Sequence, residues 1–186
     1  YTDPTSTTNA MAKGARDNGA KIYRKNRVTD IEQLPSGEWK VITEKGNITC
    51  EHVVNAAGSF CPEVSQMVGI KNVPSINMVH QYLVTEAHPE IEKLDKELPV
   101  VRDPDSSSYL RQEGKGLLIG PYEKEVAAWA LDGMDWKFDM ELLEPDLDRI
   151  EKYLEKGMDR IPQFKDVGIK RIICGPITHT PDDNFL

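Results

Sequence analysis

The pattern of apolar and polar positions changes twice in the first third of the chain. Apolar residues recur at helical spacing at Ala10, Met11 and Ala15, which predicts a helix over 5–18 that ends before Gly19. Short apolar–polar alternations separated by Gly-containing turns follow, and they predict strands over 21–24, 27–34, 39–43 and 48–57. This part of the chain therefore reads as a helix, a short strand and a three-stranded meander.

After Gly69 the pattern becomes rich in strands. Alternating runs predict strands over 76–86, 99–102, 108–113 and 116–122. The acidic stretch 123–144 has no clear period, Pro145 is suited to begin a helix that ends near Arg160, and 167–174 predicts a last strand broken by Gly175-Pro176. The predicted fold class is α/β (α+β): residues 1–69 and 166–186 form one layer, and a β-rich domain over 70–165 interrupts it.

Composition and charge exclude several classes of function. The 186 residues include 23 Lys and Arg against 31 Asp and Glu, and the net charge of −8 argues against a nucleic-acid-binding protein. No apolar run approaches the ~20 residues of a membrane-spanning helix, so no membrane association is predicted. Three cysteines without a CxxC motif suit a reducing compartment, the cytoplasm or, in a eukaryote, the mitochondrial matrix. The chain opens without Met and stops after a turn-like stretch, which is typical of an internal piece of a longer protein.

Small residues end the fourth predicted strand, in the sequence Val53-Val54-Asn55-Ala56-Ala57-Gly58. Residues without bulky side chains allow a backbone to approach a flat group such as a dinucleotide, but the same motif also forms tight turns after buried strands. The sequence contains no GxGxxG motif and therefore no phosphate cradle of that type.

Polar residues that could carry chemistry share strand faces in the β-rich segment. His80 and Tyr82 lie on one face of the strand over 76–86, and Tyr109 and Arg111 lie on one face of the strand over 108–113. Imidazole, phenol and guanidinium groups together suit a substrate that carries both an amine and a carboxylate. The alternative is that His80 is an ordinary sheet histidine and Arg111 belongs to a surface ion pair.

The remaining titratable residues give weaker signals. We expect His52 to be structural and His88 to be solvated, whereas His179 lies in a rigid loop that could line a site. The acidic residues from Asp132 to Asp148 lack the spacing of a calcium loop, so no metal site is predicted.

Several segments, taken in order, resemble the dimethylglycine and sarcosine dehydrogenase family, flavin-dependent amine oxidoreductases of the D-amino-acid-oxidase type. The segments lie at 3–5, 12–15, 53–58, 80–85, 109–113, 120–123, 175–177 and 180–182. The resemblance implies a Rossmann-like FAD-binding layer interrupted by a β-rich substrate domain. It also implies cofactor positions near FAD at Val28, Ala56, Ala57, Gly58, Gly175 and Pro176.

The same resemblance implies oxidation of an N-methyl group of dimethylglycine, sarcosine or a related amine, with FAD as hydride acceptor. His80 and Tyr109 match active-site positions of the family, and we add Tyr82 and Arg111 as substrate-binding residues, with Arg102 as a competitor for the substrate carboxylate. Many relatives also carry a C-terminal folate-binding region. The chain alone is expected to be inactive, colourless and marginally stable.

Two rivals stay open at this stage. The regulatory subunit of pyruvate dehydrogenase phosphatase resembles the same dehydrogenases without being one, so a non-catalytic regulator is the alternative. An oxidase that passes electrons directly to oxygen would differ only in its electron acceptor.

Overall fold

The computed structural model describes residues 2–184 and divides the chain into two units, Tyr1–Val73 and Pro74–Leu186. Both units mix helices with antiparallel strands, and the predicted mixed helix-and-strand class is confirmed. Tyr1, Phe185 and Leu186, which the sequence analysis included at the two ends, lie outside the described residues.

The first unit begins with helix α1 (Pro4–Asp17), close to the predicted bounds. The Asp3 carboxylate accepts a hydrogen bond from the backbone N–H of Ser6 at 2.7 Å and caps the helix, and Pro4 occupies a first-turn position that needs no N–H donor. The strand predicted over 21–24 is wrong: this segment is irregular, because no described strand lies beside it to pair with its backbone.

The predicted meander is confirmed as three antiparallel strands in sequence order, β1 (Val28–Gln33), β2 (Trp39–Thr43) and β3 (Gly46–Cys50). The third strand ends at Cys50 and does not run to residue 57 as predicted, since the described residues offer 51–57 no pairing partner. A 3-10 turn at Gly58–Phe60 and the short helix α2 (Cys61–Gln66) follow.

The second unit is built on a six-stranded antiparallel sheet. Its strands are β4 (Ile76–Thr85), β5 (Val101–Asp103), β6 (Ser108–Glu113), β7 (Gly116–Pro121), β8 (Ala128–Trp129) and β9 (Ile169–His179). The helices are α3 (Pro89–Glu92) and α4 (Leu147–Arg160).

Strand β4 is the centre of this sheet. One of its edges pairs with β9 from Ile76, opposite His179, to Thr85, opposite Ile169. The other edge pairs with β8 at 77–78 and with β7 at 83–84, which leaves a gap between these two short pairings. Strands β6 and β5 extend the sheet beyond β7.

Helix α4 covers one face of the sheet and forms the core with it. Ile150 and Leu154 of the helix pack on Leu83, Leu110 and Ile119 of the strands, and all five side chains are buried. Burial of one such side chain contributes roughly 1.5–3 kcal/mol to stability. The opposite face of the sheet keeps half-exposed polar and aromatic side chains.

The structure corrects the predicted path of the last segment. Residues 166–186 were expected to return to the layer of residues 1–69, but β9 pairs only with β4 among the described strands and belongs to the second unit. The division after Val73 lies close to the predicted boundary at residue 69.

Two local predictions about proline are also wrong. Gly175-Pro176 does not break β9, because Pro176 stands opposite Val79, whose N–H and C=O both bond to groups on the other edge of β4. Pro145 does not begin α4, because Asp146 is the capping residue, and its carboxylate accepts from the backbone N–H of Arg149 at 3.1 Å.

Candidate active site

The open face of the six-stranded sheet collects the polar side chains predicted from the sequence. Along β4, Met78, His80 and Tyr82 are half-buried on this face, while the residues between them point into the core or its margin. The strand register puts Gly175 of β9 opposite His80, and Gly120 of β7 opposite Tyr109 of β6. The predicted alternation on both strands is therefore confirmed.

Tyr109 owes its position to the absence of a side chain at Gly120. An ideal Cβ built on Gly120 would lie 2.0 Å from Cζ of the Tyr109 ring, so the ring rests directly on the glycine backbone. The centroid of the ring is 5.6 Å from that of Tyr122, and the Arg102 guanidinium lies 5.0 Å from the centre of the Tyr122 ring. Burial, followed by the nearby phenols of Tyr82 and Tyr122, raises the pKa of Tyr109, which keeps it a hydroxyl donor at neutral pH.

His80 lies in an environment that favours its neutral form. Burial lowers its pKa below the ordinary 6.5, and the positive charges of His179 and Arg149 lower it further. The two imidazole rings have centroids 5.8 Å apart. His80 therefore presents an uncharged ring with one nitrogen able to accept a proton.

His179 lies at the end of β9 rather than in the predicted loop. Its Nδ1 is 3.1 Å from a carboxylate oxygen of Asp183, and its Nε2 is buried with no hydrogen-bond partner among the described residues. The open face thus carries two histidines, of which the sequence singled out His80 more strongly.

The two arginines considered for the substrate carboxylate have different surroundings. Arg111 pairs with Glu113, two residues along the same strand, and Glu113 also pairs with Arg171 at 3.3 Å. Arg102 stands opposite Tyr109 in the register and is exposed, and it has no carboxylate partner among the described residues. The ion pair that the sequence analysis kept as the alternative for Arg111 is therefore present.

The predicted cofactor positions divide between the two units. In the first unit, Val28 is half-buried at the start of β1, and Ala56 and Gly58 are exposed in a turn with Ala57 between them. Asn55 fixes this turn, because its Oδ1 accepts from the Ala57 N–H at 3.1 Å and its Nδ2 donates to the Cys61 carbonyl at 2.9 Å. Gly58 has a φ of +57° and no neighbour within 4 Å of a built Cβ.

An exposed turn without side chains beyond Cβ fits the approach of a flat ring system such as those of FAD. Gly175 and Pro176 lie in β9 of the second unit, and a Cβ at Gly175 would also meet no atom of residues 2–184 within 4 Å. The small residues at these positions are thus compatible with a flavin.

The prediction that His88 is solvated is wrong: it is 5% exposed, and its Nδ1 accepts from the Glu90 N–H at 3.1 Å and caps α3. Within residues 2–184, no group of His, Cys, Asp and Glu side chains has the arrangement of a metal site, and no helix has the length and apolarity to cross a membrane.

Four functional candidates escaped the sequence analysis, namely Gly120, Gln81, Glu123 and Arg149. Gln81, Gly120 and Glu123 lay in segments that carried the family resemblance but received no role of their own, and Glu123 also began the acidic stretch without a clear period. No sequence signal separated Arg149 from the other charged residues of its helix. These residues act through partners that are distant along the chain. Neither the spacing of apolar residues nor a short motif indicates such partners.

Known proteins have similar sequences over more than nine-tenths of this chain. Mouse (Mus musculus) mitochondrial dimethylglycine dehydrogenase is 44% identical over 98% of this chain, and mouse mitochondrial sarcosine dehydrogenase is 35% identical over 97%. The regulatory subunit of mouse mitochondrial pyruvate dehydrogenase phosphatase is 29% identical over 93%. The chain spans 21%, 19% and 20% of the lengths of these relatives.

A solved structure gives the same picture at the level of the fold. L-proline dehydrogenase from P. horikoshii superposes with a TM-score of 0.75 and 26% identity, over 98% of this chain and 45% of that one. The model of the protein family described as "DAO: FAD dependent oxidoreductase" matches residues 1–186. The chain therefore belongs to the DAO family of FAD-dependent oxidoreductases.

Proposed function

We propose that the protein carrying this chain oxidises an N-methyl group of dimethylglycine, sarcosine or a closely related amino acid. The observation that carries the proposal is the open face of the sheet, where His80, Tyr109 and Arg102 supply a neutral base, a hydroxyl donor and a cation. Arg102 has no carboxylate partner within residues 2–184. These are the groups that an amine with a carboxylate requires. The relatives named as dimethylglycine and sarcosine dehydrogenases support this substrate class.

His80 controls the protonation of the substrate amine. An N-methyl amine has to lose its ammonium proton before the neighbouring C–H bond can give up hydride, and a neutral imidazole accepts that proton or holds the amine neutral. The lowered pKa of His80 supports this role, because it keeps the ring uncharged at neutral pH.

Arg102 is the better candidate for the substrate carboxylate, and Arg111 is retained as its competitor. A guanidinium already paired with a carboxylate must break that pair before it binds another, and Arg111 has Glu113 on its own strand. Arg102 lies against the Tyr122 ring, which leaves its N–H groups available for a ligand.

Tyr109 and Tyr82 line the same face as His80 and orient the substrate. The Tyr109 hydroxyl remains protonated because its pKa is raised, so it donates a hydrogen bond without taking part in proton removal. Tyr82 contributes a second phenol close enough to influence the Tyr109 pKa.

When bound, FAD supplies the hydride acceptor that no amino-acid side chain provides. Val28 and the turn at Ala56, Ala57 and Gly58 are the candidate FAD positions of the first unit. Gly175 and Pro176 are the candidate FAD positions of the second unit. We also propose folate as a partner, bound through another region of the complete protein. In a eukaryotic source, we propose a location in the mitochondrial matrix. The mouse relatives are mitochondrial enzymes by name, which supports that location.

The non-catalytic alternative has weaker support. The relative that is named a regulatory subunit is 29% identical, against 44% for dimethylglycine dehydrogenase. A protein without catalysis would also have no need to keep a neutral histidine and a protonated tyrosine on an open face.

The test is anaerobic mixing of the complete protein with dimethylglycine, sarcosine, glycine and L-proline, followed by flavin absorbance. We expect the flavin to be bleached faster by the N-methyl amino acids than by glycine or L-proline. Faster bleaching by L-proline would contradict the proposed substrate class. Bound flavin that none of the four compounds reduces, or a complete protein without flavin, would favour the regulatory alternative.

A further inference from the structure

The gap in the pairing of β4 lies beside the candidate base. Strands β8 and β7 bond to this edge at 77–78 and 83–84, and His80 lies between them. The Val79 N–H on that edge bonds to the Ala127 carbonyl at 2.8 Å. In the part of the chain that the structure describes, no strand covers the Val79 carbonyl or the Gln81 N–H. These groups still need hydrogen-bond partners, because unpaired backbone groups inside a protein are costly.

Two charged side chains supply those partners. The Gln81 N–H donates to Oε1 of Glu123 at 3.3 Å, and the Val79 carbonyl accepts from Nη2 of Arg149 at 3.4 Å. Arg149 and Glu123 also bond to each other, Nε to Oε2 at 2.6 Å. The ion pair therefore makes hydrogen bonds that a neighbouring strand would otherwise make, one to the residue on each side of His80.

The ion pair is itself rigidly held. The Glu123 side chain is fully buried and that of Arg149 is 16% exposed. Gln81 attaches the start of α4 to β4, because its side-chain amide exchanges two hydrogen bonds with the backbone of Asp146, at 2.6 and 2.9 Å. Arg149 lies one turn after Asp146 on that helix. The attachment of the helix start to β4 therefore directs the Arg149 guanidinium toward the gap.

The charge of Arg149 reaches the imidazole as well as the backbone. Two charged groups act on His80, His179 from β9 and Arg149 from α4, and both lower its pKa beyond the effect of burial. Each has a carboxylate partner: Asp183 lies beside His179, and Glu123, from the segment after β7, bonds to Arg149. Burial of Glu123 raises its pKa, and the adjacent Arg149 opposes that rise and stabilises the carboxylate. The pair thus sets a balance of one positive and one negative charge beside His80.

We propose that Arg149, held by Glu123, is a positioning residue that fixes the orientation and the protonation equilibrium of His80. The inference rests on the proposed role of His80 as the group that controls the substrate amine. It predicts that the two partners act on His80 in opposite directions. Removing Arg149 leaves a carboxylate near the ring and favours imidazolium, whereas removing Glu123 leaves an unbalanced cation and favours the neutral ring.

The experiment follows the His80 imidazole by NMR titration in the 186-residue chain, with the resonance assigned from its absence in His80→Gln. The variants are Arg149→Met, Glu123→Gln and both together. The matched control is Lys152→Met, which removes an exposed ion pair with Glu125 from the same helix. We expect the His80 pKa to rise in Arg149→Met, to fall in Glu123→Gln, to lie between these in the double variant and to stay unchanged in Lys152→Met.

Flavin reduction by the complete protein gives the second measurement. In Arg149→Met, the lower limb of the pH–rate profile should move to higher pH, with the rate at pH 6 reduced roughly 2- to 10-fold, since one pKa unit corresponds to tenfold. If Arg149→Met does not fold, the double variant, which carries neither charge, and Glu123→Gln still show whether the His80 pKa changes in the expected direction. Titrations that match the wild type, or shifts of the same sign in both single variants, would overturn the inference. A shifted His80 pKa without any change in the pH–rate profile would leave the positioning intact and refute the proposed role of His80 instead.

Discussion

A methyl group added at Gly120 should displace Tyr109 from the open face. The built Cβ lies 2.0 Å from Cζ, 2.1 Å from Cε1 and 2.4 Å from the hydroxyl oxygen of the ring, whereas carbon atoms in contact are about 3.5–4.0 Å apart. The ring must therefore move by roughly 1.5 Å. The backbone of Gly120 itself is not in the left-handed region, so the clash alone opposes Gly120→Ala.

The expected cost follows from what the ring loses. Overpacking costs about 1–3 kcal/mol, part of it from the Tyr122 contact, which is worth about 0.5–1.5 kcal/mol. Replacing a strand glycine by alanine returns roughly 0.5–1 kcal/mol of chain entropy. We therefore expect Gly120→Ala to reduce the free energy of unfolding by about 1–2 kcal/mol, measured by urea denaturation with tryptophan fluorescence.

A double-mutant cycle separates the clash from other effects. In a Tyr109→Ala background, Gly120→Ala should be neutral or slightly stabilising, with a coupling energy above about 1 kcal/mol. Gly175→Ala is the matched control on the same sheet, because its Cβ would meet no atom within 4 Å, and it should stay within about 0.5 kcal/mol of the wild type. An equal loss from Gly120→Ala with and without the tyrosine ring would refute the reasoning.

Four further predictions concern the site and its support. His80→Gln in the complete protein should slow flavin reduction roughly 10- to 1000-fold with FAD still bound, and Tyr109→Phe should slow it less; stopped-flow traces across pH measure both. Folding lowers the pKa of His80 below 6.5, so the unfolded chain takes up the proton first as the pH falls through 6.5, and the free energy of unfolding decreases there. Urea titrations at pH 7 and pH 5.5 should therefore show a smaller decrease in the free energy of unfolding for His80→Gln than for the wild type. Gly157→Ala should destabilise the chain by about 1–3 kcal/mol despite the better helix propensity of alanine, because its Cβ would lie 1.9 Å from Cδ1 of Ile119; Ile119→Val should relieve part of this loss in thermal melts. The 186-residue chain should bind FAD more weakly than 1 μM, about −8 kcal/mol, in equilibrium dialysis, since its sequence has no GxGxxG cradle.

Local patterns in the sequence predicted most of the elements. Strand patterns identified β1, β2, β4, β6 and β7 to within a few residues. Buried and half-buried positions alternate along most of β4, whereas β7 is buried at every position. The same alternation put His80 with Tyr82, and Tyr109 with Arg111, on common faces. The family resemblance then supplied the cofactor, which no pattern of apolar positions could indicate.

Long-range partners account for what the sequence did not predict. Whether 21–24 and 51–57 form strands depends on neighbours that local sequence does not contain. The acidic stretch beginning at Glu123 has no clear period and gave no structural prediction, yet Glu123 itself is buried against an arginine from a helix further along the chain. In the same way, the predicted strand over 116–122 gave no reason for a glycine at 120, which leaves room for a ring on the neighbouring strand.

The pairing of β4 with β9 has a consequence for how the protein is made. The ladder joins Ile76 to His179 and Thr85 to Ile169, so the strand that carries His80 waits for most of the second unit to be synthesised before one of its edges is covered. At about 5–20 residues per second, translation leaves that edge exposed for several seconds. Contacts so distant along the chain also slow folding, because loop closure precedes the gain from pairing. A nascent chain that stalls before β9 therefore presents a long bare β edge, which is the form that chaperones would need to shield from other chains.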